Sequence, residues 1–287
     1  MIQKVLIIGA TGMLGRPVAI ELHKAGFQLR ALVRNVDKAR KLLPNGIELM
    51  QGDLQHDETI SKAIKGMDAV YLSLSVAQDE PKKGFHAERD GMRKVILAAR
   101  QEGVQRIANL SSLVQEYSSD WWVFGIKRDA IRQLKESRIP YTIFYPSNFM
   151  EAIPSQFMSG NRLLLVGKPK HKMWWIAAHD YGRQVAKALQ IDEGNHHYIV
   201  QGPEAIGQEE ALAKFTQHFP EKNLKITKMP IGILKFLGIF SNKASYGAHI
   251  IDSINNYPET FRAEETWQRL GKPETTLDVF AEKLSLD

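Results

Sequence analysis

The apolar run Val5-Leu6-Ile7-Ile8 leads directly into Gly9-Ala10-Thr11-Gly12-Met13-Leu14-Gly15, in which glycines recur at every third position. Few arrangements satisfy both halves of this stretch other than a buried parallel strand, a tight turn and a helix. Gly12 to Ala25 reads as that helix, with Val18, Ile20 and Leu22 placed to pack on a sheet. Without a Cβ, Gly9 is free to take the turn conformation, Gly12 lets a ligand approach the backbone, and Gly15 lets the helix close on the strand. The unpaired N–H groups at the helix start then face an anion, so the turn is read as a pyrophosphate cradle for a dinucleotide.

The rest of the first half repeats the unit. Strands are expected at Val5–Ile8, Leu29–Val33, Ile47–Met50, Ala69–Leu74, Arg106–Leu110 and Tyr141–Tyr145. The helices between them are expected at Gly12–Ala25, Asp37–Leu43, Asp57–Lys65, Gly84–Gln101 and about Ser119–Arg138. Gly26, Gly66 and Gly103 stand where helices end, and Asp57 is a candidate N-cap. This alternation is the pattern of an α/β, doubly wound parallel sheet.

After Pro146 the pattern breaks into a stretch rich in Pro, Gly, Lys and aromatics. It resumes with a strand at Ile176–Asp180, a helix at Tyr181–Leu189 and a strand at His197–Val200. Residues 1–147 and 176–201 are therefore read as a nucleotide-binding domain. Residues 148–175 and 202–287 form a smaller, mainly helical substrate or lid region, including Gln208–Phe219, an apolar stretch at 231–240 and a helix near Leu277–Leu284.

Composition removes several alternatives. The 287 residues contain no cysteine, which excludes a disulfide framework, a thiolate metal site and a cysteine nucleophile. The 38 basic and 32 acidic residues are spread along the chain, so the net charge of +6 and the run Lys168-Pro169-Lys170-His171-Lys172 read as solvated surface, with no nucleic-acid partner. Strand-like residues start almost at Met1, and Lys235 interrupts Ile231 to Phe240, the most apolar late segment. The expectation is a cytoplasmic protein with no membrane partner and no metal.

Other residues carry chemistry. At the end of the second strand, where an NAD-specific site places an acid, the chain has Val33-Arg34, and a guanidinium suits a ribose 2′-phosphate. NADP(H) is thus expected over NAD(H). Asp53 is read as either an adenine partner or a turn aspartate. Ser73 and Ser111 end the fourth and fifth strands, at the sheet edge where ligands bind. Lys127 shares a helical face with Val123, Ile131 and Leu134, so its ammonium must either snorkel to solvent or enter a cleft, and the cleft is the expectation. Trp121, Trp122, Phe149, Trp174 and Trp175 suit either a pocket for a flat substrate or the core.

These motifs, with Asp53-Leu54, Ser111-Ser112, Lys127 followed by Ile139-Pro140-Tyr141-Thr142, and Pro146-Ser147-Asn148-Phe149-Met150-Glu151, resemble the NmrA-like group of atypical short-chain dehydrogenases/reductases over roughly residues 1 to 200. The resemblance implies an NADP(H) site that includes Thr11, Met13, Leu14, Leu54, Pro146, Asn148 and Phe149, with Lys127 contacting both cofactor and substrate. One departure from ordinary short-chain dehydrogenases is Val123, four residues before Lys127, where their tyrosine stands. Isoflavone-type reductases in the group also have a nonaromatic residue there and rely on the lysine. Tyr117 and Ser111 are the remaining candidate catalytic groups. The implied activity is NADPH-dependent hydride transfer to a small conjugated carbonyl or quinone-like substrate. The competing class is a catalytically silent NADP(H) sensor acting through a protein partner.

Overall fold

The computed structural model describes residues 1–117, 119–191 and 193–286. In chain order the first half runs β1 (Lys4–Ile8), α1 (Gly15–Lys24), β2 (Gln28–Val33), α2 (Val36–Leu42), β3 (Glu48–Gln51), α3 (Asp57–Ile64), β4 (Ala69–Leu72), α4 (Met92–Gln101), β5 (Arg106–Leu110), α5 (Trp122–Glu136) and β6 (Tyr141–Pro146). There follow β7 (Met158–Ser159), β8 (Arg162–Val166), β9 (Met173–Trp174), α6 (Ala178–Leu189), β10 (His196–Val200), β11 (Ala205–Ile206) and α7 (Gln208–Gln217). The chain continues through β12 (Lys225–Met229), α8 (Ile231–Leu237), α9 (Asn242–Asn256), α10 (Glu264–Leu270) and α11 (Leu277–Leu286).

Seven strands make one parallel sheet in the order β10-β6-β5-β4-β1-β2-β3, the doubly wound α/β sheet expected from the alternation. Parallel neighbours need a crossover, and helices supply it on both faces. On one face, Val18, Ala19 and Leu22 of α1 pack with Tyr181, Val185 and Leu189 of α6. On the other, Ile60 and Ile64 of α3, Val95 and Ala99 of α4, and Ile131 and Leu134 of α5 are buried together. The chain turns from the β1-β2-β3 direction to the β4-β5-β6 direction beside β1, and this reversal leaves a crevice beyond the carboxyl ends of β1 and β4.

A separate apolar core joins Met150, Phe157, Leu165 and Trp175 to Leu212, Phe215 and Leu277. Beside it, β12, β8 and β7 form a small sheet, and β9 pairs with β11. The region after residue 202 thus contains strands as well as the expected helices.

Local differences from the sequence reading have local causes. Helix α1 starts at Gly15, because Gly9 to Leu14 form the turn itself. Asp57 is the first helical residue of α3, not its cap; His56 holds the N-cap position without a side-chain bond. The expected helix at Gly84–Gln101 is regular only from Met92, after a π-type turn at Ala87–Gly91. Ile176–Asp180 is not a strand. Ile176 makes a single bridge to Phe149, and α6 begins at Ala178. Gly26, Gly66 and Gly103 do follow helix ends, with φ of +87°, +73° and +69°.

Candidate functional site

The site begins at the turn between β1 and α1. Gly9 has φ +91°, and a Cβ there would lie 2.3 Å from the carbonyl oxygen of Ser73, just beyond β4. A Cβ on Gly15 would lie 2.0 Å from the Gly9 carbonyl oxygen. Both glycines are therefore imposed by backbone packing at the crevice. Gly12 differs: it is exposed, and a Cβ would meet protein only at 3.3 Å, so its open side faces whatever binds. The Gly12 N–H donates to the Gly9 carbonyl and the Ser73 N–H to the Ile8 carbonyl, which locks the turn against β4. Helix α1 has no acid in its first turn and no side chain capping it, so its N-terminal dipole is left to a ligand. Thr11 is half-buried and Met13 is 38% exposed, with Ser155 donating to its sulfur; Leu14 occupies the N-cap and packs on the core.

At the end of β2, Arg34 is exposed and makes no ion pair or hydrogen bond among the described residues. Asp37, three residues on, lies 3.8 Å from Arg40, and Asn35 caps α2 through the Lys38 N–H. The guanidinium is thus available to an anion. Asp53 accepts from the Gln55 N–H at 2.9 Å, which favours the turn-aspartate alternative, and Leu54 is buried against Gly91.

Beyond β5 and β6 the polar edge continues. Ser111 is buried, its N–H donates to the Phe144 carbonyl, and its hydroxyl has no partner. Pro146 and Asn148 come together with Ser112 and Met173 around a small cavity. Phe149 is not open to that cavity: it is buried, edge-on to Tyr181 at 5.6 Å. Trp175 is fully buried and Trp121 nearly so, which makes both of them core; Trp122 and Trp174 remain partly exposed.

Lys127 does not snorkel to solvent; its ammonium is held inside the fold by Glu88. Its ammonium donates to the Glu88 carboxylate at 2.8 Å, with side-chain exposures of 12% for Lys127 and 2% for Glu88. Burial opposes the lysine charge, but the Glu88 charge and hydrogen bond outweigh it and hold the Lys127 pKa above its ordinary value. Helix α9 closes this end of the site. Tyr246 lies edge-on to Trp121 at 4.9 Å, and His249 stacks on the same indole at 5.4 Å. His86 is fully buried, 2.5 Å from Glu80. Tyr117 is not brought to Lys127 by any hydrogen bond; it lines an open groove of about 630 Å³ beside Arg128, Ile131 and Lys135, on the polar flank of α5.

Sequence reasoning did not select Glu88, Tyr246 or Glu151 as site residues. Glu88 sits 39 residues from its partner, and Tyr246 reaches the site from the C-terminal region, so neither leaves a local signal. Glu151 ends the Asn148-Phe149-Met150-Glu151 run. One of its oxygens accepts from the Ala178 N–H at the start of α6, while the other is buried without a partner. Burial pushes its pKa up to about 7. Glu151 borders a groove of about 570 Å³ that also touches Thr11, Gly12, Met13 and His179.

These residues suit a phosphate-bearing dinucleotide on structural grounds. The turn has no room for side chains at Gly9 and Gly15, Arg34 has no partner among the described residues, and the Ser111 hydroxyl is buried and unsatisfied at the same sheet edge. Among the described residues, no cluster of three or more His, Cys, Asp or Glu side chains is arranged to hold a metal ion.

Comparison with known proteins agrees with this architecture. A family model described as "NmrA-like family" matches residues 1–278. Quinone oxidoreductase 2 of Escherichia coli is 28% identical, over 91% of this chain and 96% of that protein. Photosystem II assembly factor Ycf39 of Trieres chinensis is 27% identical, over 88% of this chain and 80% of its own length. The crystal structure of the E. coli NADPH-dependent quinone oxidoreductase QOR2 complexed with NADPH superposes with a TM-score of 0.76 at 24% identity, covering 98% of this chain and 99% of that one.

Proposed function

We propose, from the premise that this chain belongs to the NmrA-like family, that it is an NADP(H)-dependent oxidoreductase delivering hydride to a small conjugated carbonyl or quinone-like acceptor. The observation that carries this reading is the glycine turn wedged against Ser73 at the sheet's reversal point, with an unpartnered Arg34 at the end of the neighbouring strand. The likeness to quinone oxidoreductase 2 over nearly the full length of both chains supports the acceptor class.

When bound, the reduced nicotinamide supplies the hydride. The chain's own residues do the remaining work. The Gly12 and Met13 backbone and the start of α1 hold the pyrophosphate, and Arg34 pairs with the 2′-phosphate. Ser73, Ser111, Pro146 and Asn148 line the path along the sheet edge. Lys127 keeps a full positive charge because Glu88 stabilises it, and the Glu88 bond uses one of the three ammonium donors. The other donors are free to orient a ribose hydroxyl or stabilise the oxyanion that develops as the acceptor is reduced. With Val123 in the tyrosine position, proton delivery does not follow the ordinary short-chain dehydrogenase route. Residues 1–147 with 176–201 serve as the cofactor unit, supported by β10 pairing with β6, and 148–175 with 202–287 as the substrate unit.

A second reading is a silent NADP(H)-binding protein that acts through a protein partner. The likeness to a photosystem II assembly factor favours it. A screen of NADPH oxidation over quinones, enones and aldehydes separates the two: turnover of a quinone supports the reductase, whereas a flat trace across the panel with saturated cofactor supports the silent protein.

A further inference from the structure

The apolar stretch at 231–240 has no role in the site described above, and the fold leaves it outside every core. Helix α8 and the turn after it expose Ile233 (49%), Phe236 (61%), Leu237 (48%), Ile239 (72%) and Phe240 (78%), side by side. The stretch is built rather than loose. Helix α8 lies against α9, Phe236 and Phe240 meet edge-to-face at 5.8 Å, and Ser241 caps α9 through the Ala244 N–H. Gly238 seats the turn on α9, where a Cβ would lie 2.9 Å from the Ser245 Cα. A contiguous patch of this kind marks a surface that meets something apolar.

Its charge identifies what it meets. From Lys222 to Ile251 there is no aspartate or glutamate, while Lys222, Lys225, Lys228, Lys235 and Lys243 all fall within the stretch. Lys228 pairs with Glu209 at 2.7 Å and Lys235 with Asp252 at 3.4 Å; both pairs are exposed and weak, and Lys225 and Lys243 have no carboxylate partner among the described residues. Aromatic and aliphatic tips flanked by lysines match a membrane interface with anionic headgroups. A second copy of the chain is a poor occupant, because a two-fold interface would press this cationic surface against itself.

We infer that the α8–α9 hairpin docks on the surface of an anionic lipid bilayer, with Phe236, Ile239 and Phe240 entering the headgroup boundary and Lys235 and Lys243 contacting lipid phosphates. No helix among the described residues is long and apolar enough to cross a membrane, and α8 is far shorter than a span requires.

The test is flotation of the whole protein with vesicles of phosphatidylcholine alone or containing about one-quarter phosphatidylglycerol. The expected result is partitioning at least about tenfold stronger onto the anionic vesicles, weakened by salt, and most of it lost in Phe236→Ser/Phe240→Ser. Salt dependence in the unmutated protein provides a readout should that variant fold poorly. No binding to either vesicle, equal binding to both, or a dimer in sedimentation that the double variant disperses would overturn the inference.

Discussion

The two ends of the site are built from different materials. The glycine turn is made of backbone. Its geometry follows from Gly9 and Gly15 having no room for a Cβ; Gly12 and Arg34 are exposed there, and the Arg34 side chain has no partner among the described residues. The Lys127 end is made of side chains, with a buried ion pair, a buried imidazole and packed aromatics brought from three separate stretches of chain. The first end presents an uncapped helix start and the exposed Arg34 guanidinium. The second is held rigid because most of its polar groups already have partners. On this difference we propose that one end supplies affinity and the other chemistry.

The strongest way to break that comparison is to remove one charge of the buried pair. Lys127→Met leaves Glu88 ionisable and alone in a buried site, a situation that costs about 3–5 kcal/mol, whereas Lys127→Met/Glu88→Leu should recover most of that stability. Thermal or urea unfolding of the single and double variants checks this, and a single variant as stable as the unmutated chain would show that the pair is not a rigid support. From the sequence alone, the same Lys127 substitution looks harmless to folding. The difference arises because Glu88 is invisible from the helix that carries the lysine.

That contrast describes how legible the molecule is. The sheet, its helix ends at Gly26, Gly66 and Gly103, and the glycine turn follow from local pattern, because strand periodicity and glycine stereochemistry act over a few residues. What was not legible depends on distant pairing: Glu88 with Lys127, Tyr246 on Trp121, and β12 beside β8. Of the two alternatives for Phe149, pocket or core, the choice also depends on a distant partner. An aromatic next to a binding motif looks like pocket lining until the fold places Tyr181 against it.

A smaller effect sharpens the cradle end. Glu151 holds its proton up to about pH 7 in the folded chain, while an unfolded glutamate releases it near its ordinary value of 4.5, so the folded state binds more protons across that window. Stability from this group is therefore greatest below the lower value and falls as pH rises through the upper one, by on the order of 3 kcal/mol. Glu151→Gln should flatten that part of the profile. Denaturation midpoints at about pH 5 and about pH 8 for both proteins decide it, and identical pH slopes would remove Glu151 from the account.

The smallest effect lies at Arg34. Losing a charge-assisted bond to the 2′-phosphate costs about 1.5–3 kcal/mol, so Arg34→Ala should weaken NADPH by roughly tenfold or more and leave NADH nearly unchanged. Calorimetric titration of both cofactors reads the difference directly. Equal affinity for the two in the unmutated protein would contradict the assignment of Arg34.

The division of labour between the two ends is tested most directly by steady-state kinetics of Lys127→Met/Glu88→Leu, with NADPH and a reducible quinone, alongside NADPH titration. Because the double variant leaves no orphaned charge and does not touch the glycine turn, it should bind NADPH within about threefold of the unmutated protein. Its kcat/KM should fall by about 10²-fold, as when an oriented charge is removed from an active site. Turnover at the unmutated level would contradict the account, by showing that the paired lysine has no part in the chemistry.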